Sequence, residues 1–250
     1  MKETILQHRS IRRYRPDPVP PDVLSQILEA GTRASTTGNM QVYSMIVTTD
    51  PGLRQKLWEA HFKQNMVLEA PVHITFCADF NRFSKWCRYR DAEPGYDNFL
   101  SFFTAAIDAL LVSENVALAA EEHGLGICYL GTVTYMAKRF SEILQLPGLV
   151  VPVAAMVMGT PDEDPPLTDR LPLEAVVHNE VYHDYSPADI DNLYREKENL
   201  PASRKFVEEN KKKTLAQVFT DVRYTAKDNR FFSREFLELI QDKGFMNNEG

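Results

Sequence analysis

Residues 98–123 constrain the fold of this chain more than any other stretch. Phe99, Phe102, Phe103, Ala106, Ile107, Leu110, Leu111, Val116, Ala117 and Ala120 recur at helical spacing, and through the middle of the segment apolar side chains cover most of the circumference. A surface helix shows one apolar stripe. A helix like this one has to be covered on several sides, at the centre of a domain or against a second subunit. Gly124 follows it in the position of a C-cap glycine.

The rest of the chain must supply that cover. The apolar runs 43–48, 72–78, 127–130 and 149–158 read as strands, and apolar pairs Val23/Leu24 and Ile27/Leu28 mark a helix from Asp22 to about Gly31. Asp50-Pro51 is an N-cap followed by proline at the first helical position, which predicts a helix through Trp58 to about residue 68, with Gln64 near its end. Ala70-Pro71 stops it. Gly131-Thr132 reads as a turn before a further helix at 135–144. The segment 83–97, with Trp86, Tyr89, Pro94 and Gly95, has no clean period and is expected to be a mobile loop, a candidate lid. Beyond Tyr185 the chain is polar and helical, which predicts helices wrapped on the outside of the domain, ending in an amphipathic segment at 231–240.

Charge narrows the function classes. The 250 residues carry a formal net charge of -7, which argues against general nucleic-acid or anionic-membrane binding. No apolar run reads as long enough for a membrane span, and no signal-peptide pattern opens the chain, so a cytoplasmic protein is expected. Cys77, Cys87 and Cys128 have no CxxC spacing and read as structural thiols in a reducing compartment.

Against that acidic background, residues 8–15 (His-Arg-Ser-Ile-Arg-Arg-Tyr-Arg) form a basic cluster. They follow Ile5 and Leu6, and Pro16 and Pro18 forbid continuation, so the arginines are expected on the last turn of a helix. There they would either complement the helix dipole or bind an anion such as phosphate. The loop 34–41, Ala-Ser-Thr-Thr-Gly-Asn-Met-Gln, is rich in hydroxyls and amides, which either cap helices or hold a polar ligand.

Several chemistries are excluded. Gly124-x-Gly126 lacks the third glycine of a dinucleotide fingerprint, and no GxxxxGK stretch or GxSxG elbow exists. The six histidines include no HExxH and no zinc spacing with cysteine; His178 and His183 read as surface or packing residues. Polar loops and arginines without a nucleophile or metal set are what remains where an organic cofactor does the chemistry.

The order His-Arg-Ser-Ile-Arg-x-Tyr at 8–14, Ala-Ser-Thr-Thr-x-x-x-Gln at 34–41, Phe-Cys-Ala-Asp-Phe-Asn-Arg at 76–82, Gly-Leu-Gly-x-x-Tyr-Leu-Gly at 124–131 and Arg-Leu-Pro at 170–172 resembles the FMN-dependent nitroreductase family, in its NADPH-preferring branch. The resemblance implies an α+β fold: a three-layer sandwich with a central, mostly antiparallel mixed sheet between helices, in an interlocked homodimer. It implies an FMN-binding domain at 1–185 and a helical C-terminal extension at 186–250. His8, Arg9, Ser10 and Arg12 would hold the phosphate, ribityl chain and pyrimidine edge, with Arg12 nearest N1 and O2. Ser35, Thr36, Thr37 and Asn39 would reach the cofactor from the other subunit. Gln64 would lie against the flavin, Tyr129, Leu130, Gly131 and Thr132 by N5 and the dimethylbenzene side, and Arg170 at the phosphate.

The implied activity is ping-pong hydride transfer from NADPH or NADH, through FMN, to a small planar acceptor such as a nitroaromatic, a quinone or free flavin. Arg204, Lys205, Lys211, Lys212 and Lys213 form a basic patch that would meet the donor's 2′-phosphate or serve as a solvated helix face. Three departures from the family pattern are present, one of them Gly38-Asn39 in place of larger or hydroxyl residues in the loop 34–41. Thr132 stands where a second glycine is usual, which narrows the backbone conformations at that turn, and Thr168 replaces a usual lysine. Other flavin chemistry on the same fold, of dehalogenase or flavin-destroying type, and a non-enzymatic FMN-binding role are the alternatives.

Overall fold

The apolar segment forms one 24-residue helix, Phe99–Glu122, laid against a four-stranded sheet. The computed structural model describes residues 2–248. In chain order its elements begin with α1 (Lys2–Leu6), α2 (Pro21–Thr32), β1 (Tyr43–Thr48), α3 (Pro51–Ala60) and α4 (Met66–Glu69). There follow β2 (Val72–Asp79), α5 (Asn81–Arg88), α6 (Phe99–Glu122), β3 (Gly126–Tyr129), α7 (Thr132–Tyr135), α8 (Ala137–Ile143) and β4 (Val150–Gly159). The last helices are α9 (Pro187–Asn199), α10 (Pro201–Glu209), α11 (Leu215–Val218) and α12 (Ala226–Asp242).

The sheet order is β1-β2-β4-β3 and every pair is antiparallel. Among the described residues its one parallel feature is a bridge from Ser10 to Ile127 at the β3 edge. All eight residues of β2 are buried, because helices cover both faces. On one face Ala109, Val112, Val116 and Ala120 of α6 and Ile27 of α2 pack on Ile74, Phe76, Met156 and Met158. On the other, Leu57, Val67 and Phe140 pack on Ala155 and Val157. The result is the helix–sheet–helix sandwich expected of an α+β chain. Pro152 sits where β4 runs past the end of β3, so its missing N–H leaves no bond to that neighbour unmade. The β2–β4 register slips between Phe76 and Cys77 at the same level.

Asn98 caps α6 by accepting from the Ser101 N–H at 3.0 Å, and Gly124, at φ +75°, follows its end. By length and composition α6 is able to cross a membrane, contrary to the expectation of no such segment; half of its most apolar stretch is buried, as in a core helix. The face turned away from the sheet carries exposed Phe99, Leu100, Phe103, Ile107, Leu110 and Leu111.

Three local expectations are corrected. The helix predicted through residue 68 stops at Ala60, because Phe62 and Lys63 take left-handed φ values of 54° and 60°; α4 then resumes at Met66. Arg54 of α3 ties the second piece down by donating to the carbonyls of Leu68, at 3.0 Å, and Ala70. The supposed loop 83–97 begins as a helix, α5, whose start is fixed by the Asp79 carboxylate accepting from the N–H groups of Asn81 and Arg82 at 2.9 and 3.3 Å. Its buried face is made of small residues, Ser84 and Cys87, so no apolar period announces it. Finally, the helix at the N-terminus ends at Leu6, and the basic cluster beyond it is extended.

Residues up to Pro166 and from Phe232 onward form one compact unit; residues 167–231 form a second. In the second, α9 opens with a capping box between Ser186 and Asp189, and Lys197 pairs with Asp169 at 2.6 Å. In the first, Leu239 and Ile240 of α12 and the following Phe245 fill a pocket formed by Phe102, Ala105 and Val151.

Candidate active site

The basic cluster is positioned by the two apolar residues within it. Ile11 and Tyr14 are buried, the Ile11 N–H donates to the Ile127 carbonyl at 2.8 Å, and Tyr14 bridges to Pro161. The close approach of this strand to β3 requires glycine at 126: a Cβ there would stand 2.6 Å from Ile11 Cγ1. Burial outweighs the helical spacing of the sequence, so His8 and Arg12 do not stack one turn apart. They follow the two-residue alternation of extended chain instead.

Carboxylates meet most of these cations. His8 Nδ1 lies 2.6 Å from Glu121 Oε1, and burial raises the Glu121 pKa while the His8 contact opposes it. Arg9 donates to Asp164 at 2.5 Å and to the Pro165 carbonyl at 3.0 Å. Glu163 accepts from the backbone N–H groups of Arg12 and Arg13, at 2.5 and 3.2 Å, and Arg15 lies 3.8 Å from Asp162. An open cleft of about 580 Å³ beside Arg9 is lined by Glu3, Glu121, Glu163 and Asp164 and is acidic in balance. The guanidinium of Arg12, like that of Arg13, is met by none of these carboxylates. Its one hydrogen bond among the described residues is a 3.5 Å contact with the Ser10 carbonyl, and no carboxylate pairs with it.

Because the strand 8–14 runs parallel to β3 from the Ser10–Ile127 bridge, Arg12 advances toward the end of β3, where 129–132 follow. Its charge is close enough to oppose the burial that raises the Cys128 thiol pKa. Tyr129 turns its hydroxyl toward α6, 3.1 Å from Ser113 Oγ and 3.4 Å from Glu114 Oε2, and burial pushes its pKa up. Leu130 is buried and donates its N–H to the Ala155 carbonyl at 2.8 Å. Gly131 is exposed, at φ −63° and ψ −16°, and no atom lies within 4 Å of where a Cβ would stand. Thr132 is the first residue of α7, so its Cβ brings no backbone strain and the departure from glycine is tolerated.

The Thr132 hydroxyl joins two further elements. Thr132 Oγ1 lies 2.6 Å from His61 Nδ1 and accepts from Gln64 Nε2 at 3.4 Å, while the same amide donates to the His61 carbonyl at 3.0 Å. His61 Nε2 in turn lies 2.9 Å from His73 Nε2 on β2. Both histidines are fully buried. Burial, added to by the facing ring, pulls the His61 pKa down to about 2, and burial with Arg54 nearby pulls His73 to about 3. Sequence reasoning placed Gln64 and Thr132 in the site but not this pair; a histidine inside the otherwise apolar run 72–78 was the available signal.

The remaining expected residues belong to the loop 34–41 and to the second unit. In the loop 34–41, Ser35, Thr37 and Asn39 are exposed and Thr36 is half-buried; the Thr37 N–H and hydroxyl bond Asp108 of α6 at 3.0 and 3.3 Å. Gly38, Asn39 and Gln41 all have φ near 54°. Among the described residues, no hydrogen bond joins this loop to 8–14 or 129–132. Arg170 belongs to the second unit, where it donates to the carbonyls of Thr168 and Asp169 at 3.2 and 3.0 Å. In the same unit Lys205 pairs with Glu209 at 3.7 Å and Lys212 with Asp221 at 3.0 Å. Arg204 donates to Asn199 at 2.6 Å, and with Lys213 it lines a cleft of about 280 Å³. Lys211 lies in the turn after α10 with φ 53°.

Comparison with known proteins agrees with this architecture. The chain is 36% identical over 183 residues to an NADPH-dependent oxidoreductase of Staphylococcus aureus, covering 72% of each chain. A Bacteroides fragilis crystal structure superposes with a TM-score of 0.96 at 51% identity, covering 98% of this chain and 100% of that one. The NfrA1 nitroreductase of Bacillus subtilis has a TM-score of 0.86 at 26% identity, and the NADPH:FMN oxidoreductase of Vibrio harveyi 0.80 at 26%, each covering 99% of both chains. The nitroreductase family model matches residues 5–160, well over half of the chain, and the protein belongs to that family.

Proposed function

We propose that this chain is an FMN-dependent NAD(P)H oxidoreductase that reduces small planar acceptors such as nitroaromatics, quinones or free flavin. The observation that carries the reading is the group at the end of β3. Gly131 leaves its backbone open to close approach, Thr132 and Gln64 supply polar atoms beside it, and the Arg12 guanidinium has no carboxylate partner among the described residues. An exposed backbone with a few convergent polar groups and a free cation fits a planar anionic cofactor. Bound FMN would supply the redox chemistry, taking a hydride from NAD(P)H and passing two electrons to the acceptor.

The chain's own work is then to bind and orient. Arg12 is assigned to the N1/O2 edge of the ring, where a cation favours the reduced anion. His8, Arg9, Ser10 and Arg170 are assigned to the ribityl phosphate, for which the carboxylates now paired with His8 and Arg9 would have to yield. The patch Arg204, Lys205, Lys211, Lys212 and Lys213 is a weaker assignment to the donor's 2′-phosphate, since two of the lysines already have acidic partners.

The exposed apolar face of α6 supports a homodimer, and in it Ser35, Thr36, Thr37 and Asn39 would reach the partner's cofactor. Residues 1–185 are assigned to the FMN-binding domain, 186–250 to its helical extension, and the cytoplasm is the compartment in which its three free cysteines would stay reduced. The test is the absorbance spectrum of the purified protein, identification of the flavin released on denaturation, and anaerobic bleaching by NADPH and by NADH. FMN bleached by NADPH is the expected result. A colourless protein that ignores added FMN overturns the reading, and bound flavin that no nicotinamide bleaches reduces it to a binding protein.

A further inference from the structure

Two imidazole nitrogens facing each other at 2.9 Å in a fully buried site share one proton, because two N–H groups would collide and two lone pairs would repel. The rings pack on Phe140, with centroids 4.7 Å from His61 and 6.3 Å from His73, and among the described residues no carboxylate hydrogen-bonds either. Both histidines are therefore neutral, and the question is which one donates. If His61 donated, His73 would carry its proton on Nδ1, which is buried and makes no hydrogen bond, the pull of its own backbone on that proton being a lesser influence than burial. If His73 donates, that nitrogen is only an unfilled acceptor. An orphaned buried donor is the rarer and costlier of the two, so the proton belongs to His73 Nε2.

The rest follows along the chain of bonds. His61 then carries its proton on Nδ1 and donates it to Thr132 Oγ1 at 2.6 Å. Thr132 Oγ1 also accepts from Gln64 Nε2 at 3.4 Å, so both its lone pairs are engaged and its own O–H must donate elsewhere. Gln64 spends its amide N–H groups on the His61 carbonyl and on Thr132, which turns its Oε1 away as an acceptor. We propose that His61 and His73 are positioning residues that orient the Thr132 hydroxyl as a donor and the Gln64 carbonyl as an acceptor, presented together beside Gly131 to the bound flavin. The Thr132 departure from glycine is what gives the histidine pair something to hold. The functional half of the proposal rests on the FMN reading; the proton arrangement is a property of the chain alone.

The two halves are tested separately. Histidine-selective ¹⁵N NMR of the flavin-free protein at pH 6 to 8 is expected to show His73 as the Nε2–H tautomer and His61 as the Nδ1–H tautomer, unchanged across the range; the reverse pattern, or titration of either ring, overturns the proposal. Flavin binding is then measured in a double-mutant cycle. Thr132→Val removes the hydroxyl at constant shape and is expected to weaken FMN binding about tenfold, the scale of one hydrogen bond. His73→Leu is expected to weaken it several-fold with Thr132 present and not at all in the Thr132→Val background, while His73→Gln, which keeps a donor near the Nε2 position, restores it. An equal effect of His73→Leu in both backgrounds overturns positioning and leaves a packing role. Should His73→Leu not fold, His73→Gln and Thr132→Val still decide through flavin affinity and the His61 tautomer. A protein that takes up no FMN in any variant sinks the flavin reading and the positioning claim with it, while the ¹⁵N pattern still reports on the proton arrangement.

Discussion

At the scale of single residues, Arg12 stands apart from His8 and Arg9. Glu121 and Asp164 hold His8 and Arg9, and Glu163 engages the Arg12 backbone but not its guanidinium, which is left exposed. A cation against the N1/O2 edge stabilises the reduced flavin. Arg12→Ala is therefore expected to lower the midpoint potential of the bound flavin by about 30 mV, the two-electron equivalent of about 1.4 kcal/mol, with FMN retained. Redox titration checks this. Wholesale loss of flavin at an unaltered potential would make Arg12 a phosphate ligand. For Arg9→Ala the opposite pattern is expected, weaker retention on dialysis at a nearly constant potential. The identity of these residues was legible from the order of motifs, but their acidic partners were not. Glu121 and Glu163 are more than 100 positions away in the chain, and only folding brings them to residues 8–13.

Among the elements, α6 makes the clearest demand. Its sheet-facing side is buried by small and branched residues, whereas Leu100 and Phe103 on the other side are 71% and 52% exposed. An apolar face of that extent in water marks an interface. Phe103→Asp combined with Leu110→Asp is expected to shift the protein from dimer to monomer by light scattering at micromolar concentration, and to lose FMN if the 34–41 loop serves the partner's site. A wild-type monomer would contradict the assembly. The sequence reading located α6, β1, β2 and β4 to within about two residues, because each has a strong apolar period and a definite stop. It missed α5, whose buried side is Ser84 and Cys87, and it carried α3 through the break at Phe62 and Lys63, where two left-handed residues follow a buried histidine.

For the molecule as a whole, the buried histidines make stability depend on pH. Both fold with pKa values pulled far below the ordinary 6.5, so between about 3 and 6.5 the unfolded chain binds protons that the folded chain refuses. Stability should accordingly rise with pH through that window and fall as acid is added, by up to about 1.4 kcal/mol per pH unit for each histidine. Urea midpoints at pH 7 and pH 5 check the sign, since most carboxylates titrate below that range; a midpoint that does not drop would mean at least one ring is hydrated. What the sequence determined by itself was a long apolar helix that needs cover on several sides, the strand-forming runs, and the order of motifs that marks the nitroreductase family. Periodicity, caps and motif spacing are local, and they survive in a string of letters. Only the tertiary structure decided that residues 8–14 lie extended beside β3, that carboxylates meet His8 and Arg9, and that His73 reaches Thr132 through His61. Those outcomes depend on which side chains distant segments bring into one desolvated space, where burial of Ile11 and Tyr14 outweighs helical spacing and a proton shared between two rings must take a side.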